Sequence, residues 1–404
     1  MHQQTSSKSL LIISTFGMLV AFTAWAAFSP LINQFGQTYN LSATEQSILV
    51  AIPVLLGSVM RIPLGILTEK YGGRKMYTAL LLFLVLPLLA TGFANSYLTL
   101  LICALFLGMA GTAFAISMTF VSKWTPKEKQ GTALGINAMG NAGTAIAAFL
   151  LPTIALMWGV EWVFWGLILP VLIMAAVIWF FTPETPSAGT NRTVKGELSI
   201  LKYKDTWVLS LFYFVTFGLF VAMGIYLPTL LINVYDLSAV DAGMRAAGFV
   251  LLATFVRPVG GYLADKYDPG KMMSQLFAGI VVCAAVIAPA VGNIFIFTAA
   301  SLLLAVLSGM GSGVVFKMVP SIFAKSTGAA TGIVGAAGGL GGFFPPIMLG
   351  VIRDLTGAYT IAFILLAVVS LVCFSFNKME YDKKTVTVPK SERAGAEQRS
   401  ETIR

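Results

Sequence analysis

Arg61-Ile-Pro-Leu-Gly65-Ile-Leu-Thr-Glu69-Lys70-Tyr71 and, 196 positions later, Arg257-Pro-Val-Gly-Gly261-Tyr-Leu-Ala-Asp265-Lys266-Tyr267 align without a gap. Arginine, glycine, leucine, an acid, lysine and tyrosine recur in register. A second correspondence sets Gly131, Gly135 and Gly140-Asn141-Ala142-Gly143 against Gly328, Gly332 and Gly338-Gly339-Leu340-Gly341, with the offset drifting to 197 and then 198. Each copy lies within an apolar run long enough to cross a bilayer, which takes roughly 20 residues of helix. The chain therefore reads as a duplicated all-α membrane protein. Its functional centre is expected near the bilayer midplane, where the two repeats meet.

Composition agrees. The 404 residues are 57% hydrophobic and 11% charged, with mean hydropathy +0.85, against roughly 25% charged residues in soluble domains. Twelve helices are predicted, at 10–32, 45–67, 76–93, 98–121, 131–155, 162–181, 206–231, 243–264, 273–291, 295–318, 328–350 and 359–377. The first has no small-residue cleavage site after it, so it is expected to be retained rather than removed as a signal peptide. The net charge of +9 is concentrated in alternate loops and at both ends: Lys8, Lys70, Arg74, Lys75, Lys123, Lys127, Lys129, Arg192, Lys195, Lys202, Lys204, Lys266, Lys271, Lys325 and the tail. The opposite loops hold only Arg245 and Arg353. By the positive-inside rule both termini are cytoplasmic and the protein resides in the cell inner membrane. That placement also explains the basic balance without any nucleic-acid partner.

Residues 1–182 form the expected first six-helix half and 206–377 the second. Between them, 183–205 carries Pro183, Pro186, Gly189, Asn191 and Gly196 among charges and reads as a cytoplasmic linker. The tail, 378–404, is nearly devoid of apolar residues and is expected to be disordered. Cys103, Cys283 and Cys373 all fall in apolar segments, where a thiol behaves as a small hydrophobe, and the sole histidine is His2. No metal-ligand cluster, cofactor fingerprint or nucleophile–base pair is present, so no cofactor is expected and a membrane enzyme is disfavoured.

Arg61 and Arg257 fall inside the second and eighth helices, where a charge costs about 2.5–3.5 kcal/mol to insert. Neither 51–67 nor 250–263 contains an acid, and no Asp or Glu lies deep in any predicted span. Two pseudosymmetric guanidinium groups without carboxylates call for an anion as counter-charge, the alternative being that each snorkels to the surface. Their planar donor fork suits planar oxyanions. Nitrate, nitrite, formate and bicarbonate all meet that description. Asn137 and Asn141, at i and i+4, share a face of the fifth helix; they hydrogen-bond an anion, or they bond between helices. The glycines of the fifth and eleventh helices, Gly135, Gly140, Gly143, Gly338, Gly339 and Gly341, are expected to act as a conformational hinge, letting helices slide past one another.

Two resemblances follow from these motifs. Gly65-x-Leu67-x-Glu69-Lys70-x-Gly72-Gly73-Arg74-Lys75 resembles the loop between helices two and three of the major facilitator superfamily, with Glu69 where Asp is more usual. The resemblance implies that Gly65, Glu69, Arg74 and Asp265 form a cytoplasmic latch. The two arginines, together with Gly135-x-x-x-x-Gly140-Asn141-x-Gly143 and Gly332-x-x-Gly335-x-x-Gly338-Gly339-x-Gly341-Gly342-Phe343-Phe344, are similar to the nitrate/nitrite porter family within it. That likeness covers the chain except its tail. It implies that Arg61 and Arg257 hold the anion, that Phe22, Phe114 and Tyr213 wall it, and that Asn137 and Asn141 lie nearby. Lys317 departs from members with a neutral amide there; it snorkels to the surface or takes part in coupling.

The expected function is exchange of nitrate and nitrite by alternating access in a functional monomer, with small inorganic anions and the lipid bilayer as its partners. The alternatives are proton-coupled nitrate uptake and a non-transporting anion sensor on the same fold.

Overall fold

A computed structural model of the chain describes residues 2–184, 198–356 and 359–382. Among them every regular element is helical, as lipid demands of a chain that must satisfy its own backbone hydrogen bonds. Eleven helical segments are long and apolar enough to cross a membrane among the described residues, from Ser7–Leu31 to Thr360–Tyr381. Thr327–Thr356 is the helix expected as the eleventh span. The predicted boundaries fall within a few residues of these.

Sequence reading did not anticipate that three helices are interrupted. The second breaks at Met60, between Ala43–Val59 and Arg61–Tyr71. The fourth is crossed by the 3-10 turn Gly108–Thr112 and the fifth by Ala138–Ala142. All three lie in the first half and flank Arg61 or Asn141. The second and third helices join through Gly72 alone, whose φ of 92° is open only to glycine at little strain.

The halves meet where the second helix packs on the eleventh and the fifth on the eighth. Glycine permits both approaches. A Cβ at Gly65 would stand 2.3 Å from the Gly328 carbonyl oxygen, and one at Gly131 would stand 2.3 Å from that of Gly261. At the same level each half supplies an acid to the other. Glu69 accepts the Gly328 N–H at 2.8 Å. Asp265 accepts from Gly131 N at 2.9 Å and from Thr132 N and Oγ1 at 2.7 Å each. Both carboxylates thus cap the N-terminus of a helix in the opposite half, where unpaired N–H groups and the helix dipole favour negative charge. Lys317 Nζ completes the second contact, 2.8 Å from Asp265 Oδ1, and also donates to the Lys127 carbonyl.

Arg74 is not part of this contact. The turn at Gly72 starts the third helix ahead of it, and that helix packs on the sixth; Arg74 there pairs with Glu184 and lies 5.3 Å over the Trp179 ring. At the other end of the linker Lys204 pairs with Glu380, and the Tyr381 hydroxyl donates to Asp205. The first residues of the tail, Lys378–Asp382, therefore form a docked π-helical turn. Residues 185–197 and 383–404 lie outside the described residues.

The glycines expected to form a hinge divide between two kinds of contact. Gly135 and Gly339 face the opposite half, against Pro258 and Ser58. Gly140 and Gly143 lie against Met18, Thr15 and Leu19 of the first helix, and Gly338 and Gly341 against Tyr213 and Phe214 of the seventh. These four are close-packing positions within one half, and none has a positive φ.

Replacing Asp265 by Asn removes one member of a nearly buried pair, a change that costs roughly 3–5 kcal/mol. The expected outcome is faster hydrogen–deuterium exchange in the peptide spanning Lys127–Asn137 and a lower melting temperature. Glu45→Gln, in the exposed capping box with Ser42, should leave that peptide unchanged.

Candidate functional site

The break at Met60 and the 3-10 turn beside it set the position of the first arginine. Arg61 begins the second segment of its helix, and its Nε donates to the Gly111 carbonyl at 3.1 Å. Its Nη1 crosses to the other half and donates to the Gly335 carbonyl at 2.6 Å. Arg257 sits in an unbroken helix, followed by Pro258. Its Nε, Nη1 and Nη2 are all buried without a hydrogen-bond partner, as is the Thr254 hydroxyl one turn earlier. The two arginines are 1% and 0% exposed, and neither forms an ion pair among the described residues.

Aromatic rings fill the space around them. Arg61 Cζ lies 5.2 Å from the Phe114 ring and 5.7 Å from that of Phe217. Arg257 Cζ lies 5.1 Å from Phe217 and 4.3 Å from Phe220. One ring, Phe217, therefore touches both cations. Tyr213 stacks on Phe217 at 4.9 Å and 6°, and on Phe114 at 6.0 Å, while Phe316 meets Tyr213 and Phe114 edge-on. Such contacts offset part of the desolvation of a guanidinium, by about 2 kcal/mol when water is excluded, but they cannot neutralise it. The chemistry on offer is binding of a small planar anion between fixed cations and ring faces.

The structure thus brings together four of the residues singled out from sequence: Arg61, Arg257, Phe114 and Tyr213. Phe22 lies farther out, 5.3 Å from Trp25, in the wall of a cavity of about 290 Å³ that opens between the halves. The two asparagines separate. Asn141 lines that cavity; its Nδ2 donates to the Ala138 carbonyl at 2.8 Å, and its Oδ1 is buried without a partner. Asn137 is instead held inside the first half, accepting from Ser117 at 2.8 Å and contacting the Met118 sulfur. The 3-10 turn between them is the reason: four residues turn through roughly 40° beyond a full circle in an α-helix but roughly 120° at three residues per turn. Lys317 reaches the face bearing the linker and stays with Asp265.

Sequence reading missed Phe217, Phe220 and Phe316. Tyr213, Phe217 and Phe220 stand at i, i+4 and i+7, one face of the seventh helix, so the pattern was present. Aromatic residues are frequent enough in membrane helices that spacing alone did not set these apart.

A sequence profile described as the Major Facilitator Superfamily matches residues 14–327 and 246–401. The nitrite extrusion protein of Bacillus subtilis strain 168 is 40% identical over 380 residues, covering 92% of this chain and 93% of that protein. The probable nitrate transporter NarT of Staphylococcus haemolyticus is 38% identical over 385 residues, covering 94% and 100%. Among solved structures, the proton:xylose symporter XylE superposes with a TM-score of 0.77 at 13% identity over 94% of this chain and 96% of that one, a likeness of fold alone. With a profile and relatives that span nearly its whole length, the chain belongs to the Major Facilitator Superfamily.

Proposed function

We propose that the protein carries nitrate and nitrite across the membrane by alternating access, exchanging one for the other. The observation that carries this reading is the buried guanidinium of Arg257, with three nitrogens unpartnered, opposite an arginine whose own donors are partly engaged. An anion between them supplies the missing acceptors and the missing charge. The ring faces of Phe217, Phe114 and Tyr213 suit a flat, weakly hydrated ion better than a bulky tetrahedral one. The curated relatives, named for nitrite extrusion and nitrate transport, support the same choice. The anion is held by Arg61 and Arg257, walled by Phe114, Tyr213 and Phe217, and approached past Phe22 and Asn141.

In alternating access the two acid caps hold the linker face shut while the cavity opens toward the opposite face. With basic loops on the linker side, that side is cytoplasmic. Both arginines belong to one chain, so a monomer suffices. Exchange is favoured because an empty carrier would reorient with two cations uncompensated in a medium of low dielectric. Lys317, the candidate for proton coupling, is engaged with Asp265 in the cap.

Radiolabelled nitrate uptake into proteoliposomes tests the mode. Uptake should be strongly stimulated by internal nitrite, without a change of internal pH, and should remain so in Lys317→Gln. Comparable uptake into anion-free vesicles with acidification, lost in that variant, would overturn exchange in favour of proton symport.

Lysine keeps the charge of arginine but loses its fork. Arg257→Lys and Arg61→Lys should each weaken nitrate binding roughly tenfold or more, the loss of at least one charged hydrogen bond of about 1.5–3 kcal/mol. Isothermal titration on the folded variants measures this, and unchanged affinity in either removes that residue from the site.

A further inference from the structure

Arg257 and the open cavity are neighbours that do not meet. The cavity is lined by Trp25, Pro53, Asn141, Phe217, Phe220 and Val250 among others, and neither arginine is part of its wall. Phe217 and Phe220 form its floor on the seventh helix, and the Phe220 ring lies 4.3 Å from Arg257 Cζ, the nearest ring to either guanidinium. Phe220 is 4% exposed and Arg257 fully buried. Phe220 is also tilted against Phe217, 5.6 Å away at 31°, so the two rings adjoin each other in the cavity wall. The face of the guanidinium that an anion would take from this side is therefore covered by a side chain that offers only a weak π counter-charge.

From this geometry we infer that Phe220 is a selectivity gate, a ring that closes the cavity over Arg257 and must swing aside before an anion reaches the fork. The inference rests on the reading of the arginine pair as an anion site. The walls of the cavity are mostly apolar, so an anion there finds only a few neutral donors, Ser29, Asn141 and Thr144 among them, and no charged one until the ring moves. Weakly hydrated planar anions tolerate that interval; strongly hydrated sulfate or phosphate does not. The gate thereby adds discrimination that the guanidinium forks, which bind many oxyanions, do not possess. Arg61 has a different cover: Phe114 and Phe217 flank it, and it is tied to Gly111 and Gly335, so Phe220 should not govern it.

The test is modification of the purified full-length protein by phenylglyoxal, with labelled arginines identified by peptide mass spectrometry. In Phe220→Ala, labelling of Arg257 should rise roughly tenfold or more over wild type, since modification of a buried group waits on local opening. Labelling of Arg61 should stay at the wild-type rate, and Phe220→Tyr, which keeps the ring, should restore low labelling of Arg257. Equal increases at both arginines, or none at Arg257, overturn the gate. Nitrate added to Phe220→Ala separates the two readings. Protection of Arg257 supports both, whereas a specific rise at Arg257 without protection keeps Phe220 as the cover over Arg257 but removes the anion site beneath it, and with it the selectivity role of that cover. In flux assays the same variant should lose selectivity for nitrate over sulfate, and an unchanged ratio also counts against the gate.

Discussion

Two guanidinium groups are buried at the junction of two six-helix halves, with no carboxylate among the described residues to neutralise them. Charge in a low-dielectric interior must be compensated or the fold must hold it by force. Here compensation is unequal. Arg61 is tied by two backbone carbonyls, one of them from the opposite half, while among the described residues Arg257 meets ring faces and no hydrogen-bond acceptor. The breaks in the second and fourth helices, the small residues of the eleventh and the aromatic layer on the seventh all serve to hold these groups close without quenching them. On the proposed reading such a balance has a purpose: a site fully satisfied by protein groups would leave nothing for an anion to supply.

The same economy governs the contact between halves. Gly65 with Gly328 and Gly131 with Gly261 bring backbones within contact of one another, so that Glu69 and Asp265 reach helix N-termini across the interface. Residues that looked like one class in sequence then divide by neighbour. Gly135 and Gly339 lie where the halves meet, whereas Gly140, Gly143, Gly338 and Gly341 pack helices together within a half.

Much of the fold was legible in sequence because hydropathy and the 196-residue repeat are properties of residue type and order. The arginines stood out for the same reason, since charge in an apolar run is conspicuous. Asn137 and Asn141 could not be separated from sequence, because their relation depends on a 3-10 turn that no single residue announces. The pairing of Arg74 with Glu184 was not legible, because a motif gives spacing but not the direction taken after Gly72. Phe217 and Phe220 were hidden by the number of phenylalanines, 29 in all; only distance to Arg257 sets them apart.

The acid caps have a property that ordinary ion pairs lack. One partner in each is a main-chain N–H, at Gly328 and at Gly131, and a main-chain donor survives every substitution except proline. Loss of polarity can therefore break either cap from one side only, by losing the acid. On the other side what it must preserve is smallness rather than polarity. The selective burden is split between the halves, with charge retained in the second and eighth helices and the absence of a side chain retained in the fifth and eleventh. Two repeats can in this way keep a matched pair of contacts while most of the surrounding residue types differ.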